Sequence, residues 1–362
     1  RIAKRSPRMT KVNAKPRGYS DAIKSSFQGK EKMMVLASGD TAPLQAVLTV
    51  LHKNPNVNIL AGVRAVCWSP DSATLASAGD AGPVYVCDVS TGSVKNTLRG
   101  HDLRVWSIAC SSDAQFIASA SMDCTVRLWK SSSGEQVQVL EDHSDQVNSV
   151  AFSADSKWLA SGSDDTSTIL WKMSPLHLSA SPASFHLRLE GHTGWVRSVA
   201  WGHSDLILAT GSGDKSIKVW EVKGEQARLG STLKAATSGI RALAFQPGGG
   251  VLAAASFDCC IYLWQMMTPL ASAQLLQCLS GHTAGVWSLA WKAAEGGGGG
   301  GAVLVSGAFD NTIRVWHFTN GQAKMTGDPL REHTKAISAV AFSPDGALLA
   351  SARLLVTPQM CQ

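Results

Sequence analysis

The sequence carries no GxSxG, no HExxH and no P-loop, and no carboxylate pair stands apart as an acid/base couple. The common signatures of serine hydrolases, zinc peptidases and nucleotide-binding enzymes are thereby missing. Eight cysteines (Cys67, Cys87, Cys110, Cys124, Cys259, Cys260, Cys278 and Cys361) form no CxxC pair and no Cys/His ligand spacing, so neither a metal site nor a cofactor is expected. Most of them fall at strand-like positions that suit a small apolar side chain, and they read as reduced core thiols. No apolar run approaches the ~20 residues that cross a bilayer, and no signal-peptide pattern is visible. The expectation is an intracellular protein, cytoplasmic or nuclear, without membrane contact. Aromatic residues make up only 7% of the chain, yet 12 of the 24 are tryptophan, a bias that asks for a structural cause.

The cause is a repeat. Its clearest copy, Gly191 to Val222, opens with Gly191-His192, runs through two apolar strands ending near Thr210, turns at Gly213-Asp214-Lys215 and closes on Ile217-Lys218-Val219-Trp220. Twelve residues on from an apolar residue early in each second strand stands a tryptophan. Ile117 leads to Trp129, Leu159 to Trp171, Leu208 to Trp220, Leu252 to Trp264 and Leu304 to Trp316. Alternation in the closing strand sends Trp220 to the face opposite Ile217 and Val219. A buried indole N–H needs an acceptor. The Thr210 hydroxyl can accept it and donate its own proton to His192, whose other ring nitrogen can donate to Asp214.

Four repeats hold this chain of donors entire: His101, Ser119, Asp123, Trp129; His143, Ser161, Asp165, Trp171; His192, Thr210, Asp214, Trp220; and His282, Ser306, Asp310, Trp316. The trio of His, Ser and Asp has the ingredients of a nucleophilic triad, but an active site is needed once and a strand clamp in every repeat. These residues therefore read as structural, and the protein as no enzyme. The fifth repeat keeps Asp258 and Trp264 but has Ala236 and Ala254 at the other two places. The first is degenerate, with Ile59, Ala81 beside a displaced Asp80, and Cys87 for Trp. Counting from His or its equivalent, units begin at 59, 101, 143, 192, 236, 282 and 333, spaced 42 to 51 residues apart. Ser174 to Phe185 and the six glycines Gly296 to Gly301 read as surface insertions.

The unit resembles a WD repeat, the four-stranded blade of a β-propeller, with its GH opening and its W-D or W-E close. The resemblance implies an all-β fold, a seven-bladed propeller of four-stranded antiparallel blades. It implies a non-catalytic scaffold that holds peptides or proteins on its channel-mouth face. In such blades the residue five after the repeat His points into the channel mouth, and the residue before the turn Asp lies beside it. Carried over, the first position gives Arg64, Trp106, Asn148, Arg197, Arg241, Trp287 and Ser338; the second gives Met122, Asp164, Gly213, Phe257 and Phe309. With Trp195, two residues before Arg197, the partner-binding set is Arg64, Trp106, Trp195, Arg197, Arg241, Phe257, Trp287 and Phe309. Large aromatics and Arg at a rim are the composition of binding hot spots. Two Arg beside apolar rings favour a peptide with an acidic group next to a hydrophobic one. The alternative is that some of these rings pack inside the channel. Substrate receptors of cullin-type ubiquitin ligases resemble one another in ending a repeat with W-D/E-x-R/K, and only Trp220-Glu221-Val222-Lys223 approaches that here, with Lys for Arg.

Residues 1 to 32 carry net +8 while the whole chain carries +6, which leaves −2 for the other 330. This basic stretch reads as a disordered, solvated extension, and any nucleic-acid contact is expected of it alone. The propeller is read as residues 33 to 352, with 353 to 362 a divergent tail that supplies no Asp or Trp where the last repeat needs them. That repeat has two strands, Ile337 to Phe342 and Leu348 to Ala352. Since open strand edges are unfavourable, it is expected to be completed from the N-terminal side, with Leu44 to Val50 as third strand and Val57 to Leu60 as outer strand.

Overall fold

Short apolar runs of period two, cut by Asp, Gly and Ser turns, cannot bury a face alone, and each pairs with the next in sequence. The computed structural model describes residues 33–37 (as backbone only), 62–175, 181–202, 207–248, 250–267, 272–292 and 301–354. Among these there are 27 strands and no helix. They form six four-stranded antiparallel sheets, each built of four consecutive strands, and one three-stranded sheet. The innermost strands are Val63–Trp68, Val105–Cys110, Val147–Phe152, Val196–Trp201, Ile240–Phe245, Val286–Lys292 and Ile337–Phe342. Each lies against the innermost strand of the next sheet, and the last lies against the first, so the sheets (numbered 1 to 7 in chain order) close into a ring. The fold is a β-propeller.

Closure between sheets 7 and 1 is bonded as well as packed. Ser338 Oγ donates to the Val63 carbonyl at 2.5 Å, and Trp68 Nε1 donates to the Ala341 carbonyl at 3.0 Å. The same indole bond recurs from Trp201 to Ala151 and from Trp291 to Ala244, each at 3.1 Å. Serine hydroxyls on the innermost strands accept the backbone N–H of the following sheet, Ser149 from Val199 at 3.1 Å, Ser198 from Leu243 at 3.0 Å and Ser288 from Val340 at 3.0 Å. Between neighbouring sheets lie seven apolar clusters, one per interface.

Sheet 7 is completed from the N-terminal side by a strand other than the expected one. Met33–Ala37 pairs antiparallel with Leu348–Arg353, from Met33 opposite Ala352 to Ala37 opposite Leu348. The third-strand place given to Leu44 to Val50 is thus taken by the apolar run before it. Leu44 to Val50 and Val57 to Leu60 themselves lie outside the described residues. A second correction concerns the insertion between the third and outer strands of sheet 3, whose end, Ala183 to Phe185, belongs to the outer strand Ala183–Leu189, in which Phe185 pairs with Trp171. Of the Gly296 to Gly301 run, only Gly301 is described.

Removing residues 1–37 from the chain should therefore lower stability by at least about 2 kcal/mol, the sum of a few net hydrogen bonds, and should promote aggregation through the bared edge of Leu348–Arg353. Urea denaturation of the shortened chain checks this; an unchanged midpoint would mean that the strand pairing contributes nothing.

Candidate functional site

The positions expected at the channel mouth share one irregularity, repeated seven times. In every sheet the register between the first and second strands slips near its start, between Val63 and Ala65, Val105 and Ser107, Val147 and Ser149, Val196 and Ser198, Ile240 and Ala242, Val286 and Ser288, and Ile337 and Ala339. The extra residues are Arg64, Trp106, Asn148, Arg197, Arg241, Trp287 and Ser338. A bulge re-aims the side chain it frees from the ladder, and here it takes seven side chains out of the regular alternation. A backbone bond fixes a second position beside each. The N–H of Asp80, Met122, Asp164, Gly213, Phe257, Phe309 and Leu354 donates to the carbonyl of Gly62, Arg104, Gln146, Trp195, Gly239, Gly285 and Ala336 respectively, at 2.8 to 3.0 Å.

Two unlike halves result. On sheets 4 to 6 the Arg197 guanidinium lies 4.7 Å from the Trp195 ring and 5.9 Å from Phe257, and the Arg241 guanidinium lies 4.2 Å from Trp287. Trp287 stacks on Phe309 at 4.4 Å and meets Phe257 edge-on at 5.7 Å. Trp195 is 50% exposed, whereas Trp287 is only 5% exposed, a packed member of the cluster and no part of an exposed rim. Its indole N–H has no hydrogen-bond partner among the described residues.

On sheets 1 to 3 the mouth is polar. Arg64 and Arg104 flank the Trp106 ring at 4.8 and 4.9 Å, and both pair with Asp80. Trp106 Nε1 donates to Gln146, which with Asn148 donates to Asp164 at 2.6 Å. Burial pushes the Asp164 carboxyl up, against the Asn148 hydrogen bond and the charge of Arg197. Neither Arg64 nor Trp106 is grouped with the aromatic cluster.

Sheets 2, 3, 4 and 6 each hold the full chain of His, Ser or Thr, Asp and Trp. His101, His143, His192 and His282 sit with Nε2 at 2.8 Å from Ser119, Ser161, Thr210 and Ser306, whose hydroxyls accept the indole N–H of Trp129, Trp171, Trp220 and Trp316 at 2.9 to 3.0 Å. Nδ1 lies 2.7 to 2.8 Å from Asp123, Asp165, Asp214 and Asp310. Burial works against the Asp123 and Asp214 carboxylates, but hydrogen bonds from His101 and Thr125, and from Ser216 and His192, outweigh it and hold both at about 2. The hydroxyls of Thr125, Ser167, Ser216 and Thr312, two residues after each Asp, bond its other oxygen. Sequence reasoning missed this fifth member, although its spacing is visible. In sheet 5 Tyr262 Oη donates to Asp258 at 3.0 Å, and Trp264 Nε1 has no partner among the described residues. Sheet 7 offers His333 with Ser351 alone, at 2.8 Å.

Against known proteins, a family model described as WD domain, G-beta repeat matches residues 55–82, 92–130, 134–172, 184–221, 227–265, 273–317 and 325–353. This chain belongs to the WD40 family. Among curated WD40-like relatives, the Periodic tryptophan protein 2 homolog of Neurospora crassa is 37% identical over 113 residues, 31% of this chain and 11% of that protein. Protein CIA1 of Arabidopsis thaliana is 36% identical over 80 residues, 21% of this chain and 23% of that protein. The probable cytosolic iron-sulfur protein assembly protein Ciao1 of Culex quinquefasciatus is 39% identical over 79 residues, 22% of each. The chain thus spans less than a quarter of the length of the relatives it matches.

His192→Ala or Asp214→Ala should cost about 1–3 kcal/mol, the penalty for stranding buried polar partners, as read by chemical denaturation. Acid should act earlier than the carboxylates allow. Burial, then Arg353, lowers the His333 imidazole to about 4, and burial also lowers His192 despite Asp214. Both are neutral when folded, while the unfolded chain takes up protons near pH 6.5. Stability is full above that value and is lost as pH falls from about 6.5 through 4. Denaturation midpoints between pH 7 and 4.5 check this, and His333→Gln should flatten the slope.

Proposed function

We propose that this protein is a non-catalytic interaction scaffold whose channel mouth, on sheets 4 to 6, receives a protein segment bearing an acidic group beside an apolar one. The observation that carries the reading is the cluster of Arg197, Arg241, Trp195, Phe257, Trp287 and Phe309. Guanidinium groups stacked on rings keep their N–H edges presented in the plane of the stack, where a carboxylate binds in bidentate fashion. Trp195 offers an exposed ring for an apolar side chain. Blade folding asks for none of these residues at bulge positions, since Asn148 and Ser338 occupy the same place in sheets 3 and 7.

We read the chain as a seven-bladed propeller, residues 33 to 352, between a basic extension, 1 to 32, and a divergent C-terminal stretch, 353 to 362. Nucleic acid would concern the extension alone. The recurrence of His, Ser and Asp in clamps supports the absence of an enzyme. The Culex relative is named for cytosolic iron-sulfur protein assembly, and an adaptor role within a multiprotein assembly inside the cell is the corresponding reading here. The ubiquitin-ligase reading gains nothing, because the basic residue of its one motif, Lys223, is held by Glu221 at 2.6 Å.

Charge reversal at both arginines, Arg197→Glu with Arg241→Glu, should abolish capture of the main partner in affinity purification from cells and abolish binding of Asp/Phe-containing peptides in a peptide array. Thermal stability should fall by no more than about 2 kcal/mol, the worth of their three cation–π contacts. Undiminished binding by a folded double variant would remove this site.

A further inference from the structure

The seven interfaces between sheets share a rule with one exception. Near the end of each innermost strand an alanine of one sheet and an aromatic ring of the next pack into the same apolar cluster: Ala109 with Phe152, Ala151 with Trp201, Ala200 with Phe245, Ala244 with Trp291, Ala290 with Phe342, and Ala341 with Trp68. Between sheets 1 and 2 the corresponding residues are Cys67 and Cys110. Both members change together, and their Sγ atoms lie 2.8 Å apart.

Two contacts at the mouth cross this interface, Arg64 on the Trp106 ring and Arg104 with Asp80, but the indole and serine bonds that tie the other sheets are missing here among the described residues. No indole crosses it, because the aromatic place is Cys110. Ala65 stands where Ser107, Ser149, Ser198 and Ser288 reach the next sheet. Sheet 1 has Cys87 in place of the clamp tryptophan. Two small thiols fill less space than an alanine and a ring, so without a bond between them this contact is the poorest of the seven.

We infer that Cys67 and Cys110 are a disulfide site that staples sheet 1 to sheet 2 at their innermost strands. The atoms are within about 0.8 Å of the covalent S–S length of about 2.04 Å. With oxidised glutathione as oxidant, one thiolate attacks the glutathione disulfide and releases one glutathione. The other cysteine then displaces the second glutathione from the mixed disulfide. One protein S–S bond forms, the glutathione S–S bond is reduced, and the two cysteine protons leave on the two glutathione thiols. The Cys110 hydrogen bond, then burial, raise the Cys67 thiol well above its ordinary value, which makes it a poor lone nucleophile and ties its chemistry to its neighbour.

The test equilibrates the full chain with graded ratios of oxidised to reduced glutathione, caps free thiols and maps peptides without reduction. The expected product has lost two hydrogens, links the Cys67 and Cys110 peptides within one molecule, and melts about 5 °C higher than the reduced chain. Cys67→Ala with Cys110→Phe restores the pair used at the other interfaces; it should fold and show no melting response to the oxidant. Full capping of both thiols in excess oxidised glutathione, a link mapped to Cys260 and Cys278 instead, a bond that leaves the melting point unmoved, or an oxidant response that persists in the double variant would each overturn the inference.

Discussion

Each sheet of this ring has two apolar faces and water against neither, so no sheet is stable without both neighbours. From that constraint the rest follows. Alanines with no exposure (Ala118, Ala160, Ala209, Ala253, Ala350) line the second strands because neighbouring sheets approach too closely for larger residues. Branched residues and rings from the following sheet fill the remaining volume. A ring of such sheets cannot be left open at one place, and that is why a strand from the far N-terminal side is drawn onto Leu348–Arg353. The indole of Trp68, reaching back to Ala341, makes the junction equal to those elsewhere in the circle.

The clamps answer a different need. Turns at the channel mouth expose backbone that the bulges have loosened, and a buried imidazole with an acceptor on one side and a donor on the other ties each mouth loop to its own third strand. Sheets 1, 5 and 7 lack part of this arrangement, and two of them, 1 and 7, meet at closure. Ring closure there rests on packing and on Trp68 and Ser338, while at the mouth Asp80 holds Arg64 and Arg104 across to sheet 2.

Much of this was legible in the sequence because it is local. The twelve-residue step to tryptophan is set within a single hairpin, and the His, Ser and Asp spacings lie within one repeat. What was not legible is non-local. Met33–Ala37 and Leu44 to Val50 are both strand-like apolar runs, and nothing within either segment says which will reach a partner more than 300 residues away. The burial of Trp287 depends on Phe309 of its own sheet and on Phe257 of the preceding one, and the second of these contacts lies outside any single repeat. Tyr262 bonds Asp258 in a sheet that has no repeat histidine, a substitution from a different strand that a position-by-position reading does not look for. The coupled change to Cys67 and Cys110 shows only when interfaces, and not repeats, are compared.

The indoles that cross between sheets are unevenly shared around the circle. Trp68, Trp201 and Trp291 bolt sheet 1 to 7, 4 to 3 and 6 to 5, whereas phenylalanines, which donate nothing, fill the same place at 2–3, 4–5 and 6–7. Joints with and without an indole bond therefore alternate over most of the ring, and the phenylalanine joints are left with one serine–backbone bond each. Amide exchange senses such differences as cooperative opening units, and the joint between sheets 1 and 2, which has neither an indole bond nor a serine bond, is where the circle parts first while its two cysteines stay reduced.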